Sequence, residues 1–154
     1  LVPYKKVDLA VRAYAKTGHP LKIVGAGTEY EKLRAIAPAN VEFLGWQSDE
    51  AVRDYYRRCR FLIFPGEEDF GIVPLEAQAC GVPVIAFRRG GLTETIVDGM
   101  TGVFFDAQTD DALASAMREA AGRTWIAAAI RANAERFAAQ RFIDGLDASI
   151  RRMM

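Results

Sequence analysis

The chain carries one histidine and two cysteines, and this scarcity excludes several chemistries. Cys59 and Cys80 stand in neither a metal-type nor a Cys-x-x-Cys spacing, so they read as reduced thiols of a cytoplasmic protein rather than as a staple. No Asp-x-Asp pair occurs, which removes a common carboxylate grip on a hard cation. Lys plus Arg and Asp plus Glu number 20 each, for a net charge of zero. No global field then draws the molecule to nucleic acid or to an anionic membrane, and anion binding has to be local. No apolar run approaches the roughly 20 residues of a membrane-spanning helix, and no charged-then-apolar leader opens the sequence. The chain starts Leu1-Val2-Pro3 without a methionine and is expected to be a piece of a longer polypeptide.

What is present is a repeat. Apolar runs start at Leu21, Val41, Phe61, Val82 and near Thr101, about 20 residues apart, with helical stripes between them. Val7, Ala10, Val11 and Tyr14 form one stripe; Val52, Tyr55, Tyr56 and Cys59 another; Leu113, Ala116, Met117 and Ala120 a third. Repeated βα units of this length predict an α/β, Rossmann-like parallel sheet with helices on both faces, formed by one domain over residues 1–154. Runs such as Phe61 to Phe64 do not alternate and are expected to be buried on both faces. Thr28 with Glu31 reads as a capping box, and Ser48 and Thr109 read as N-caps ahead of acidic first turns. A last helix is expected from Thr124 to Phe142, with Ile126, Ala129, Ile130, Ala134 and Phe137 inward. The tail beyond it, marked by Phe142, Ile143, Leu146 and Ile150, either folds back or packs on something outside this chain.

Between Pro65 and Gly81 two carboxylates, Glu68 and Glu76, are separated by seven residues across a strand-to-helix junction. Pro74 suits the first turn of a helix, so the amides of Gly71, Ile72 and Val73 are expected near its N-terminus. Those N–H groups lack intrahelical partners and the macrodipole favours negative charge, which makes a phosphate ester the natural guest. Glu76 suits a grip on two adjacent ribose hydroxyls, and Glu68 is placed to accept from sugar hydroxyls. Glu67, Glu68 and Asp69 in a row either bind a cation or form a solvated loop; no metal is expected. Gly25 and Gly27 fail the dinucleotide fingerprint, since its third glycine falls on Tyr30, and either admit a ligand to the backbone or make a tight turn. Lys5 and Lys6 lie at the ligand edge of the sheet, as diphosphate partners or as surface charges. Arg88 and Arg89 meet either an anionic acceptor or solvent, and His19 has no assigned role. A tyrosine pair at helical spacing, Tyr55 and Tyr56, reads as packing before it reads as a base or sugar platform.

The stretch Glu68 to Glu76, followed by Ala77-Gln78-Ala79-Cys80-Gly81-Val82-Pro83-Val84-Ile85, together with Leu1 to Leu9, Val24 to Gly27 and Val41 to Gly45, resembles the retaining family-four glycosyltransferases of GT-B architecture. The likeness spans nearly the whole chain and places it as the C-terminal, donor-binding half of such an enzyme, with an N-terminal acceptor domain expected outside it. The Pro-Gly-Glu-Glu-Asp-Phe-Gly-Ile form is similar to bacterial mannosyltransferases of polysaccharide assembly. By this resemblance Glu76 holds the ribose, Glu68 the transferred sugar, the amides at Gly71, Ile72 and Val73 the diphosphate, and Lys5 is the diphosphate lysine. Lys5 and Glu68 are thus the catalytic candidates; Gly25, Gly27, Gly71, Ile72, Val73 and Glu76 are the donor-binding ones. An arginine partner of Lys5 is expected before Leu1. Asp69 and Lys6 depart from the family, which has glycine at both positions in many members.

The resemblance implies a hexosyltransferase that takes its sugar, mannose first, from GDP-mannose or a UDP-hexose, with no cofactor. It passes that sugar to a saccharide or lipid-linked acceptor, which brings the complete enzyme to a membrane surface peripherally. The isolated chain is expected to bind nucleotide weakly and transfer nothing. Two rivals share the βα repeats: a GT-B nucleotide-sugar epimerase, and a flavodoxin-like nucleotide-binding or signalling module that leaves the glutamate pair unused.

Overall fold

The computed structural model describes residues 1–153, with the side chains of residues 1–152. A short 3-10 turn, Pro3–Lys5, leads into α1 (Val7–Thr17), and the βα repeat follows as β1 (Leu21–Val24), α2 (Tyr30–Ile36), β2 (Val41–Gly45), α3 (Asp49–Arg58), β3 (Leu62–Phe64), α4 (Ile72–Ala79), β4 (Val84–Phe87), α5 (Leu92–Thr95), β5 (Gly102–Phe105) and α6 (Asp110–Ala121). Two further helices, α7 (Ala127–Glu135) and α8 (Ala139–Met153), close the described chain. Every strand begins within two residues of an expected apolar run, and every strand pair is parallel.

The strands divide between two sheets, β1-β2 and β3-β4-β5. Ile63, Ile85, Val103 and Phe105 face one side, where they pack with Leu9, Ala10, Ala13 and Tyr14 of α1 and Leu113, Ala116, Met117 and Ala120 of α6. Phe64, Val84, Ala86 and Phe104 face the other side, against Leu92 and Ile96. Leu21 and Val41 of the two-stranded sheet join the first of these clusters, so α1 lies across both sheets. The division corrects the expectation for Phe61 to Phe64. Only Phe64 is buried, while Phe61, Leu62 and Ile63 are half-buried, because β3 is paired on one edge only among the described residues.

Local chemistry accounts for the helix ends. Ser48 Oγ accepts from the Ala51 N–H at 3.3 Å and Thr109 Oγ1 from the Ala112 N–H at 3.2 Å, both as N-caps. The Thr28 box does not form: α2 starts one residue after Glu29, which is itself helical and makes no side-chain cap. The expected single helix over 124–142 is two, because Arg136, Phe137 and Ala138 each donate three residues back and tighten the turn. Phe137 there meets Phe70 edge-to-face at 6.1 Å. Ile130 is buried as expected, but Ile126 is 67% exposed, and Asn133 takes an inward position instead. Of the two tail readings, folding back fails, since Phe142, Ile143, Leu146 and Ile150 all lie exposed along α8.

Lys6 is the one non-glycine at positive φ among the described residues (φ 51°, ψ 36°), at the joint between the 3-10 turn and α1. A left-handed L-residue costs about 1–2 kcal/mol, while glycine gives back up to about 1 kcal/mol through its freer unfolded chain. Lys6→Gly is therefore expected to stabilise by about 0.5–1 kcal/mol and raise the melting temperature by roughly 1–4 °C. A thermal melt that falls instead would mean that the lysine side chain itself supports the turn.

Candidate functional site

The carboxyl ends of β1 and β3 and the start of α4 bring most of the sequence candidates to one end of the molecule. The turn carrying Lys5 approaches the end of β3 because residue 66 is glycine: a Cβ there would come within 2.7 Å of the Tyr4 carbonyl oxygen and 2.9 Å of Lys5 Cα. That approach delivers Lys5 Nζ to Glu68 Oε2, where the two form an ion pair. Tyr4 and Phe64 flank the ammonium, with ring centroids 5.1 and 5.3 Å from Nζ. Both side chains of the pair are about 30% exposed, so they sit in a recess rather than in bulk water.

Gly71 caps α4 in the left-handed region at φ 87°. Among the described residues no acceptor meets the N–H groups of Gly71, Ile72 or Val73, so the expected anion-binding amides are free of the protein's own groups. Ile72 and Val73 are exposed and Gly71 is buried. Gly25 at φ 112° has open space where a side chain would stand, as a ligand approach requires. Gly27 at φ 154° is met instead by the backbone of Leu1, whose amino group donates to the Ala26 carbonyl. Of the two readings left open, ligand approach or a tight turn, the open space at Gly25 is compatible with the first, whereas at Gly27 the Leu1 backbone occupies the space a ligand would need.

Glu76 is the fifth residue of α4, and its side chain is exposed. Tyr56, half-buried on α3, donates its phenol to Glu76 Oε2 at 3.2 Å. Burial, and then the Glu76 carboxylate beside it, hold the Tyr56 hydroxyl protonated well above its ordinary range. Glu76 also lines a cleft of about 460 Å³ between α4 and α7 with Phe70, Ile72, Leu75, Arg131 and Phe137. Lys5, Glu68, Gly25 and Gly27 do not line that cleft, so the candidates divide into two groups, with Ile72 and Glu76 at the cleft and these four outside it.

Sequence reasoning missed the frame that holds these groups. The Gly91 N–H donates to the Glu68 carbonyl at 2.9 Å, and a Cβ at Gly91 would meet the Asp69 carbonyl oxygen. Behind it, Gln78 Nε2 donates to the Thr95 carbonyl at 3.1 Å, and Asn133 Nδ2 donates to Gln78 Oε1 at 2.7 Å and to the Thr95 carbonyl at 2.9 Å. These three polar residues are fully buried and tie α4, α5 and α7 together. This Gly91 clamp on the backbone of Glu68 and Asp69 has one local signal, the glycine pair Gly90-Gly91 after β4. The network has none, because each partner lies 17 or more residues away.

Arg88 is not available to an acceptor: it bridges Asp98 and Asp106 at 2.8 and 2.7 Å and lies over Phe104. Arg89 and His19 are exposed. Among the described residues no group of three His, Cys, Asp or Glu side chains is arranged to hold a metal ion.

Comparison with known proteins gives the family. The profile described as glycosyl transferases group 1 matches residues 1–137. The chain belongs to that family. A D-inositol 3-phosphate glycosyltransferase of Rhodococcus erythropolis is 34% identical over an alignment covering 97% of this chain and 39% of that protein. A GDP-mannose-dependent alpha-(1-6)-phosphatidylinositol monomannoside mannosyltransferase of Mycolicibacterium smegmatis is 34% identical over 76% of this chain and 35% of its own length. Among solved structures, Anabaena HepE in complex with UDP and glucose superposes with a TM-score of 0.79 at 25% identity, over 100% of this chain and 46% of HepE. The chain thus spans less than half the length of each of these proteins. The GT-B resemblance and the α/β fold with parallel sheets and flanking helices both hold. No helix among the described residues is long and apolar enough to cross a membrane.

Proposed function

We propose that this group 1 glycosyl transferase chain is the donor-binding half of a cytoplasmic retaining hexosyltransferase, and that its donor is GDP-mannose first and a UDP-hexose second. The observation that carries the reading is the α4 terminus, where the amides of Gly71, Ile72 and Val73 meet no acceptor among the described residues, with Glu68 before them in sequence and Glu76 after them. The diphosphate is received by the amides of Gly71, Ile72 and Val73, the ribose by Glu76, and the transferred sugar by Glu68. Gly25, with no side chain and open space, lets the ligand approach the β1 loop, beside Gly27. Lys5 stabilises the charge that develops on the diphosphate as the sugar departs, an electrostatic role needing no proton transfer and no metal or other cofactor. Pairing with Glu68 keeps its ammonium at that place. The M. smegmatis relative supports a GDP donor and the HepE complex a UDP one. The acceptor, a saccharide or a lipid-linked saccharide, is held by an N-terminal domain of the same polypeptide, and a lipid-linked acceptor places the complete enzyme peripherally at a membrane.

Calorimetric titration of this chain with GDP, UDP and ADP tests the reading. Weak saturable binding of one diphosphate, strongest for GDP, is expected, with no sugar transfer by the chain alone. Silence towards all three at millimolar concentration would overturn the donor assignment. Turnover by the chain alone would overturn the division of roles between the two domains.

A further inference from the structure

The function above leaves Tyr56 unused, although it is the one side chain among the described residues that donates to Glu76. We infer that Tyr56 is a positioning residue that presets the Glu76 carboxylate for the two ribose hydroxyls of a nucleoside diphosphate, an inference that rests on the donor-site reading. Glu76 is exposed on α4, with several rotamers open to it, and a side chain with that freedom loses it on binding. A donor from α3 at 3.2 Å fixes one oxygen and so removes part of that cost beforehand. The bond leaves Glu76 Oε1 without a protein partner among the described residues, and a carboxylate oxygen has lone pairs to spare for vicinal hydroxyls.

The chemistry of the donor suits this task. A lysine or arginine in the same place would neutralise Glu76 and weaken it as an acceptor, whereas a phenol held protonated orients the carboxylate and leaves its charge intact. The helical spacing that assigned Tyr56 to packing is therefore half of the account. Its ring is half-buried between α3 and α4, and its hydroxyl reaches the site. Tyr55, its neighbour in sequence, instead stacks with Arg58 at 5.8 Å and makes no bond to Glu76.

The test measures the affinity of the chain for GDP and UDP, each beside its 2′,3′-dideoxy analogue. The wild-type protein is expected to prefer the ribose form about tenfold or more. Tyr56→Phe keeps the packed ring and is expected to shrink that preference several-fold while affinity for the dideoxy form stays unchanged; Tyr55→Phe keeps the wild-type ratio. In a double-mutant cycle, Tyr56→Phe on top of Glu76→Ala adds no further loss, a coupling that mere packing does not produce. A ribose preference that survives Tyr56→Phe, or additive losses in the cycle, overturns the inference while leaving the donor site standing. A wild-type protein that binds both analogues alike overturns the ribose grip and the inference together, and one that binds no diphosphate at all overturns the donor reading itself.

Discussion

Replacing Gly91 with alanine is expected to cost about 2–5 kcal/mol, the sum of overpacking against backbone and a weakened hydrogen bond. For a domain of this size that lowers the melting temperature on the order of 5–15 °C. A Cβ at Gly91 would stand 2.7 Å from the Asp69 carbonyl carbon and 2.8 Å from Phe70 Cα, neither of which swings aside as a side-chain tip would. The same displacement breaks the bond from the Gly91 N–H to the Glu68 carbonyl, so nucleotide affinity falls together with stability. Gly145→Ala is the contrast: nothing lies within 4 Å of its Cβ and it sits inside α8, so it is expected to stabilise by about 0.5–1 kcal/mol. Circular-dichroism melts of both variants decide the matter, and a Gly91→Ala protein as stable as wild type would refute the clamp.

The contrast between these glycines shows what a sequence can tell in advance. Strand positions follow from apolar runs, and the caps at Ser48 and Thr109 follow from a hydroxyl ahead of acidic residues, because each signal and its cause lie within a few residues. The start of α4 at Gly71 and Ile72 was legible for the same reason, as a junction punctuated by glycine and proline. Gly66 and Gly91 were not, since the backbone each must admit comes from a segment 21 to 62 residues away in sequence. The break at 136–138 was hidden because apolar spacing runs straight through a turn that differs only in its hydrogen-bond step. Asn133 reads locally as a surface residue, and only the Gln78 and Thr95 partners explain its burial. The half-burial of β3 depends on which strands pair, and composition is silent on that.

Glu76→Ala is expected to weaken binding of the preferred nucleoside diphosphate by roughly 10- to 150-fold, the equivalent of about 1.5–3 kcal/mol for hydrogen bonds to a charged acceptor. Stability is expected to stay within about 0.5 kcal/mol of wild type, because the side chain is exposed and gives up one bond, to Tyr56. Glu67→Ala, an exposed neighbour of the same charge with no partner among the described residues, is the control for non-specific electrostatics and is expected to leave affinity unchanged. Titration calorimetry reads both. Equal affinity in Glu76→Ala and wild type would place the nucleotide elsewhere and revive the sensor-like alternative, whose ligand has no need of this carboxylate.

Helix α1 spans two sheets that share no ladder among the described residues, and this has a mechanical consequence. Along each sheet, stiffness comes from directional bonds between strands; across the seam it comes mainly from Leu9, Ala10, Ala13 and Tyr14 pressed against both sides. Such a joint resists compression well, because close-packed side chains have no room to approach further. It resists sliding poorly, because dispersion contacts have no preferred direction. The loop at Gly25 follows a strand of one sheet and the loop at Gly66 a strand of the other, so any shear along the seam displaces one loop lengthwise past the other.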